Sequence, residues 1–374
     1  MTVRLLHTAD WQIGKGFRHI PGDKGALIRE QRLATVSNLA TLAAEQRVDA
    51  VLVAGDVFDD NAVSDQTLRR AMEAMRGFDG PWVLLPGNHD AALAESAWTR
   101  VQRLGAQPPN VHFALTPEPI PLAAGALAVL PAPLRRRHEP RDLTEWFDDA
   151  RTGEVAVRVG LAHGSVQNRL PAEAEAQNPI SDTRAETAGL DYLALGDWHG
   201  TLRIADRTWY AGTPETDRFR SRDPGHALLV TLSGPGEPPA VEVLETTHYR
   251  WHEIEMPVAD GQVDTVDDRL AALGEPWDRH VVSLSLSGVL GLAERARLDD
   301  VLAGWDARLQ YLDTRLEGLH AEAGEDDLAE LGGRGFVGAA VERLQAARDA
   351  GVPWAGDALQ RLYLAYRWNG GESS

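Results

Sequence analysis

The 374-residue chain contains no cysteine, which excludes disulfide bonds, thiolate zinc sites and cysteine nucleophiles. It also has no apolar run that approaches the ~20 residues needed for a membrane-spanning helix. Its first residues follow a strand pattern rather than that of a basic and apolar leader. These absences predict a cytoplasmic protein that does not contact a membrane.

Positive charge is scarce, since 37 Lys and Arg stand against 56 Asp and Glu, for a formal net charge of −19. This balance excludes a protein that coats nucleic acid through a broadly basic surface. It leaves room for an enzyme that contacts nucleic acid through a local basic strip. Part of the acidic excess would then be metal ligands, whose charge bound cations neutralise.

Five short apolar runs read as buried strands: 3–9, 50–53, 82–85, 155–162 and 192–195. Each is followed closely by side chains that can bind metal, namely Asp10, Gln12, Asp56, Asn88, His89, His163, Asp197 and His199. Loops at the carboxyl edge of an open α/β sheet usually form its ligand site. One such residue alone is more often a turn former or a solvated group. Together, their oxygen and imidazole donors predict a site for a divalent cation.

The motifs occur in an order that resembles the calcineurin-like metallophosphoesterases. They are Asp-x-Gln at 10–12, Gly-Asp-x-x-Asp at 55–59, Gly-Asn-His-Asp at 87–90, His-Gly at 163–164 and Gly-Asp-x-His at 196–199. The likeness covers about residues 1–245. Within that superfamily, the segments 7–15 and 210–215 (Tyr-Ala-Gly-Thr-Pro-Glu) are similar to the SbcCD-type DNA repair exonucleases.

The resemblance implies an α/β fold, a two-sheet sandwich flanked by helices, with two divalent metal ions. The implied ligands of the first ion are Asp10, Gln12 and His199. Those of the second are Asn88, His163 and Asp197. Asp56 would bridge the two ions, and His89 would be the catalytic residue that stabilises the transition state or protonates the leaving oxygen. The implied partners are DNA and an SMC-like ATPase subunit, and a homodimer is compatible with the pattern.

Two positions depart from the family pattern. Gln12 and Asp197 each stand where a histidine is usual. Both changes replace nitrogen with oxygen donors, which favours manganese or magnesium over zinc. They also leave open a weaker first ion, a changed substrate or lost activity.

The chain divides into three predicted domains: a nuclease domain at 1–245, a small α+β accessory domain at 246–330 and a helical segment at 331–374. In the first, helices are predicted at Gly25–Glu45 and Ser64–Phe78, a hairpin at 226–244 and a flexible loop at 171–184. The accessory domain follows a β-α-β-α-β pattern. A hinge is predicted at 332–335, and helices at 335–368 with a break at 351–353.

In the resembled nucleases the accessory region caps the site and the C-terminal helices dock on the ATPase. The apolar residues that would do so here are Phe336, Val337, Leu344, Leu359, Leu362, Tyr363 and Tyr366. The alternative is that these residues pack back on their own domain.

Local basic strips are candidates for DNA contact. The favoured residues are Lys15, Phe17, Arg18, Arg218, Arg220 and Arg222, and a further strip lies at 135–141. Phe17 and Phe219 are candidates to stack on an unpaired base. The alternative for each strip is a solvated loop, and for each phenylalanine it is ordinary packing.

The leading hypothesis is therefore a manganese-dependent DNA exonuclease or endonuclease of DNA repair, acting by two-metal hydrolysis beside an SMC-like ATPase. One alternative is a phosphoesterase for a small substrate, such as a nucleotide or phosphomonoester. The other is a catalytically impaired scaffold that retains the fold in order to bind DNA or a partner.

Overall fold

The computed structural model describes residues 2–152, 156–170, 178–322 and 336–368, with the side chains at 322, 360, 363, 364 and 366–368 excepted. The chain forms two compact units, Met1–Tyr249 and Arg250–Ser374. The predicted hinge at 332–335 and the first half of the predicted loop at 171–184 lie outside the described residues. Among the helices that are described, none is both long and apolar enough to cross a membrane.

The first unit is built from strands joined by helices and turns. Its strands are β1 (Val3–Thr8), β2 (Ala50–Val53), β3 (Trp82–Leu84), β4 (Val111–Phe113), β5 (Ile120–Leu122), β6 (Leu127–Ala132), β7 (Val157–His163), β8 (Ser165–Val166), β9 (Pro179–Ile180), β10 (Tyr192–Gly196), β11 (Leu202–Ala205), β12 (Thr208–Tyr210), β13 (His226–Leu232) and β14 (Ala240–Glu245). Its helices are α1 (Gly22–Glu45), α2 (Asp65–Ala74), α3 (Ala97–Arg103) and α4 (Arg184–Thr187). Short 3₁₀ turns lie at Met75–Gly77, Ala123–Gly125 and Glu145–Phe147.

Two six-stranded sheets form the body of this unit. The first has the order β14-β13-β1-β2-β3-β4, and the second has the order β11-β12-β10-β7-β6-β5. In the first sheet β1, β2, β3 and β4 run parallel, as do β6, β7, β10 and β12 in the second. A small pair, β8 and β9, stands apart. The two-sheet α/β fold predicted from the sequence is confirmed.

Side chains alternate between two cores along each central strand, because successive residues of a strand point to opposite faces. In β2, Val51 and Val53 join the core that also contains residues of α1, α2 and α3. Leu52 joins the other core, which contains residues of both sheets, such as Val159 and Ala194. Burial on both faces explains why these strands read as continuous apolar runs.

Local sequence signals place the helices close to the predicted positions. α2 is capped by Ser64, whose hydroxyl accepts a hydrogen bond from the backbone N–H of Thr67 at 3.1 Å, as predicted. α1 begins at Gly22, before the predicted start, directly after the extended residue Pro21. The predicted hairpin is confirmed as the antiparallel pair β13 and β14.

The second unit contains a three-stranded sheet, ordered β15-β16-β17, whose strands all run parallel. Its elements are β15 (Arg250–Ala259), α5 (Val263–Ala271), a 3₁₀ turn (Trp277–Arg279), β16 (His280–Gly291), α6 (Leu292–Asp306), β17 (Tyr311–Glu322), α7 (Phe336–Asp349) and α8 (Ala355–Trp368). The predicted β-α-β-α-β order is confirmed, and so are the two terminal helices. The assignment of separate functions to three domains stays a prediction.

A buried histidine joins the two sheets of the first unit. His7 on β1 accepts a hydrogen bond at Nδ1 from the hydroxyl of Tyr192 on β10 (2.9 Å) and donates from Nε2 to the carbonyl of Leu195 (3.2 Å). Burial lowers the pKa of His7 to about 3. The ring is therefore neutral, and its single proton, on Nε2, is donated to the carbonyl of Leu195 in the second sheet.

We expect His7→Gln to flatten the pH dependence of the free energy of unfolding. Below the ordinary pKa of about 6.5 the unfolded chain binds a proton on His7, whereas the folded chain does not until about pH 3. Stability that is complete above pH 6.5 is thus lost as pH falls, by up to about 1.4 kcal/mol per pH unit.

Urea unfolding in chelator, from about pH 7 to about pH 5, measures this contribution and avoids effects of bound metal. His138→Gln, which alters an exposed histidine, is the control and should keep the natural pH dependence. Equal slopes for the natural chain and His7→Gln would contradict a neutral buried ring.

Candidate metal centre

The two sheets bring the predicted ligands together at the carboxyl ends of their parallel strands. Asp10 and Gln12 follow β1, Asp56 follows β2, and Asn88 follows β3. From the second sheet, His163 ends β7, and the remaining two residues, at 197 and 199, follow β10.

At the centre of the site, Asp10, Asp56 and His163 each offer a ligand atom, and these atoms all lie within 4.8 Å of one another. All three residues are buried. Three of the residues predicted from the strand ends thus lie together.

Four of the predicted ligands form a group around one ring nitrogen. His163 Nε2 lies 3.0 Å from Asn88 Oδ1, 3.5 Å from Asp56 Oδ1 and 3.7 Å from Asp197 Oδ1. The other ring nitrogen, Nδ1, donates to the carbonyl of Ala54 at 2.8 Å. That bond fixes the ring and leaves Nε2 directed at the oxygen donors, which is the usual arrangement of a metal-binding histidine.

The other three ligands form a second, looser group. His199 Nε2 lies 3.9 Å from Asp10 Oδ1 and 3.2 Å from the amide nitrogen of Gln12. The amide oxygen of Gln12 instead accepts from Lys15 Nζ at 3.2 Å. The two groups meet where the backbone N–H of Asp197 lies 3.2 Å from both carboxylate oxygens of Asp10.

The backbone at these ligands is itself unusual. Asp10, Gln12, Asp56 and Asp197 have φ values of 54°, 42°, 52° and 98°. Residues with a side chain rarely adopt this left-handed region, and they keep it where surrounding structure imposes it, often at functional sites. The loops thus adopt strained backbone conformations at the residues whose side chains converge on the site.

Two glycines allow the loops to approach one another. A Cβ on Gly87 would lie 2.1 Å from Asp56 Oδ1, and one on Gly55 would lie 2.2 Å from His163 Nδ1. Gly55 also has a φ of +92°. Glycine at these positions is therefore required by close contact and not only by the turn.

The site has an excess of negative charge that is largely buried, which a divalent cation would satisfy. In the part of the chain that is described, no lysine or arginine pairs with the carboxylate of Asp10, Asp56 or Asp197. Burial raises the pKa of Asp10 to about 6 and also raises that of Asp197. Burial alone would lower the pKa of His163, but Asp56, Asp10 and Asp197 outweigh it and raise it to about 9. Buried charges of one sign need a counter-charge, so the donor set fits a metal ion.

His89 lies beside this cluster without being part of it. Its backbone N–H donates to Asp56 Oδ1 at 3.0 Å, and its Nδ1 donates to the carbonyl of Asp59 at 2.7 Å. Nε2 lies 4.0 Å from Asp56 Oδ2, on a side chain that is 30% exposed. The ring therefore presents Nε2 to the site from its solvent side.

Several residues that shape the site were not singled out from the sequence. The carboxylate of buried Asp90 accepts from the backbone N–H groups of Gly87 (2.7 Å) and Phe58 (3.0 Å), and so joins the loops after β2 and β3. Burial and the charge of Asp56 raise the pKa of Asp90 to about 7. Only its place in the Gly-Asn-His-Asp motif could have indicated this role.

Buried Arg32 on α1 fastens the loop after β1 to the segment at 210–215. It donates to the carbonyls of Trp11 (2.7 Å), Glu215 (3.2 Å) and Asp10 (3.3 Å). The Glu215 carboxylate in turn accepts from the backbone N–H of Tyr249 at 2.9 Å. Nothing in the helical pattern of α1 marked Arg32, although a cation at a core position of a helix was a possible signal.

The residues predicted to contact DNA divide by exposure. Arg18, Arg218, Arg220 and Arg222 are exposed. Phe17 is only 4% exposed, so its predicted role in stacking on a base is wrong, and ordinary packing accounts for it. Lys15 is half-buried, in an ion pair with Asp217.

Residues 3–231 match the model of a family described as calcineurin-like phosphoesterase. The chain belongs to this family. The assignment made from the five motifs is thereby confirmed, and the matched region contains every predicted metal ligand.

Two curated relatives are a DNA repair protein and a nuclease by name. The chain is 26% identical over 276 residues to the DNA double-strand break repair protein Mre11 of Aeropyrum pernix, covering 69% of this chain and 64% of that one. It is 28% identical over 286 residues to a subunit of the SbcCD nuclease of Bacillus subtilis, covering 63% and 67%. The match thus spans about two thirds of each relative's length.

A solved structure, that of TT1561 of Thermus thermophilus, also matches. The TM-score is 0.39 at 13% identity, and the match covers 66% of this chain and 100% of the other. The fold assignment rests on the family match and on the two sheets.

We expect Asp56→Ala to lose bound metal, because it removes the carboxylate that faces both Asp10 and His163. After loading with manganese and gel filtration, metal analysis should find the variant near background. Asp149→Ala, which alters an exposed carboxylate in the same unit, is the control and should retain the natural content. Full metal content in Asp56→Ala would contradict the central place of this residue.

Proposed function

We propose that this protein is a metal-dependent phosphodiesterase that cleaves DNA in repair, as an exonuclease or endonuclease. The observation that carries the proposal is the meeting of three carboxylates and two imidazoles at one sheet edge, with His89 presented from the solvent side. The family match supports a phosphoesterase, and the relatives' names support DNA as the substrate.

The observed grouping supports two ion positions. Asp10, Gln12 and His199 would hold the first ion, and Asn88, His163 and Asp197 the second, with Asp56 bridging. Oxygen donors outnumber imidazoles in this set, which favours manganese, with magnesium next, over zinc. When bound, a pair of divalent ions would supply an activated water and charge stabilisation for a phosphodiester.

His89 would act as the catalytic residue beside the metal ligands. Because Nδ1 donates its proton to the carbonyl of Asp59, Nε2 is the nitrogen that faces the site, and it has a proton to give only when both ring nitrogens are protonated. That nitrogen would stabilise charge on the phosphate or protonate the leaving oxygen. The exposed arginines of the 218–222 segment would bind the DNA backbone near the same edge, since Arg218 contacts His199.

An SMC-like ATPase is the proposed partner, docking on α7 and α8. Much of the apolar face of these helices packs within the second unit, since Val341 and Leu359 are buried against Leu292 and Ala296. Val337, Leu344 and Leu362 pack against the same cluster, while the side chains of Tyr363 and Tyr366 lie outside the described residues. Among the described side chains of this segment, Phe336 (90% exposed) and Trp354 (61% exposed) are large apolar groups available to a partner.

The decisive assay compares DNA with small phosphate esters. With manganese, the protein should cleave linear, hairpin or single-stranded DNA and show much weaker activity on phosphomonoesters and nucleotides. Activity should disappear in chelator and return with manganese better than with zinc. Efficient hydrolysis of small substrates alone would favour a small-substrate phosphoesterase, and metal binding without any hydrolysis would favour a catalytically impaired scaffold.

We expect His89→Ala to bind manganese almost normally and to cleave DNA about 100- to 10,000-fold more slowly, the usual loss for a general acid or base. The reason is that His89 adjoins Asn88 and Asp56 without joining the cluster. Metal content and cleavage rate are measured on the same preparation. A collapse of metal content together with the rate would make His89 a ligand instead.

A further inference from the structure

His199 has two neighbours of opposite charge at one ring nitrogen. Nδ1 lies 2.7 Å from Nη2 of Arg218 and 3.5 Å from Oδ2 of Asp217. Nη2 of Arg218 also lies 3.3 Å from Nε2, so one guanidinium nitrogen contacts both ring nitrogens. An arginine side chain only donates hydrogen bonds, and a carboxylate only accepts them. The two neighbours therefore favour different states of the ring.

A metal ion on Nε2 would require the state that Asp217 favours. A histidine that binds metal through Nε2 carries its proton on Nδ1 and usually donates it to a carboxylate or carbonyl. Asp217 Oδ2 is the carboxylate oxygen beside Nδ1. Arg218 opposes this state twice, because it places a donor against Nδ1 and a positive charge against the nitrogen that would bind the ion.

The side chain of Asp217 is buried and fixed by an ion pair, whereas that of Arg218 is half exposed and free to change conformation. The Asp217 side chain has no exposed surface, and it pairs with Lys15 Nζ. Lys15 also donates to Gln12 Oε1 at 3.2 Å, so that one ammonium joins the residues on both sides of His199. The Arg218 side chain is 50% exposed and is joined to Asp217 through Nε at 3.2 Å. It can leave the ring without any rearrangement of the core.

We propose that Asp217 is the positioning residue that prepares His199 for the first ion. Lys15 anchors Asp217, and Arg218 is a displaceable cation that competes with that ion for the ring. The inference rests on the proposed function, which places the first ion at Asp10, Gln12 and His199.

The two ion positions should then differ in affinity. In the described chain, no lysine or arginine hydrogen bonds to the side chains of Asn88, His163 or Asp197, which would hold the second ion. At the first position Arg218 contacts both ring nitrogens of His199. The first ion must displace a cation before it binds, so it is the weaker of the two.

Manganese titration of the full chain by calorimetry tests this inference, with electron paramagnetic resonance to count the ions and detect their coupling. The natural chain should bind one ion tightly and one weakly. Asp217→Asn should weaken binding of the ion at His199, which is the weaker of the two, by about 10- to 100-fold. A loss of this size is usual when the hydrogen-bond partner of a metal-binding histidine is removed. Arg218→Ala should strengthen binding of the same ion.

Lys15→Met separates positioning from a general effect of charge. It removes a positive charge, as Arg218→Ala does, so a general charge effect would strengthen metal binding in both variants. Positioning predicts the opposite for Lys15→Met, because Asp217 loses its anchor and the ion at His199 binds more weakly. Thermal unfolding in chelator verifies that each variant folds. Because the Arg218 side chain is half exposed, the result for Arg218→Ala does not depend on core packing.

The outcomes distinguish this inference from the proposed function. Two ions in the natural chain, with unchanged affinities in Asp217→Asn and Arg218→Ala, would overturn the inference alone. Equal shifts of both ions, or tighter binding in Lys15→Met, would also overturn it in favour of a general charge effect. A natural chain that binds no manganese would overturn the inference and the proposed function together.

Discussion

The structure of the first unit depends on the meeting of carboxylates, largely buried, at one edge of two facing sheets. Asp10, Asp56 and Asp197 approach His163 from three different loops, and no lysine or arginine among the described residues forms an ion pair with their carboxylates. An excess of buried negative charge is costly in a folded protein unless a cation binds. The left-handed backbone at these residues and the glycines at 55 and 87 are the local consequences of this convergence, and a divalent ion is the species that would offset its cost.

Much of the fold could be predicted because its signals are local. The apolar runs that became β1, β2, β3 and β10 are buried on both faces, and Ser64 caps α2 with its own hydroxyl. The convergence of the candidate ligands could also be predicted, because the carboxyl ends of parallel strands meet at one edge. The antiparallel addition of β13 to β1, which brings residues 226–232 beside the N-terminal strand, has no such local signal.

The parts of the site that could not be predicted act across long separations in sequence. Arg32 on α1 reaches the carbonyl of Glu215, and Asp217 pairs with Lys15, contacts that connect residues about 180–200 positions apart. A single sequence shows each as an ordinary charged residue. Phe17 shows the opposite error, because an aromatic residue among basic ones suggested contact with DNA, while its neighbours in space bury it. Proximity in sequence was a poor guide to exposure.

Diffraction from crystals soaked in manganese, recorded at the manganese absorption edge, tests the central claim most directly. We expect two anomalous peaks, one among Asn88, His163 and Asp197 and a weaker one beside His199, with Asp56 between them. A single peak among Asn88, His163 and Asp197 would support a metal centre but would contradict two-metal chemistry. The absence of any peak near Asp10, Asp56 and His163 at saturating manganese would contradict the claim that these carboxylates converge in order to hold metal.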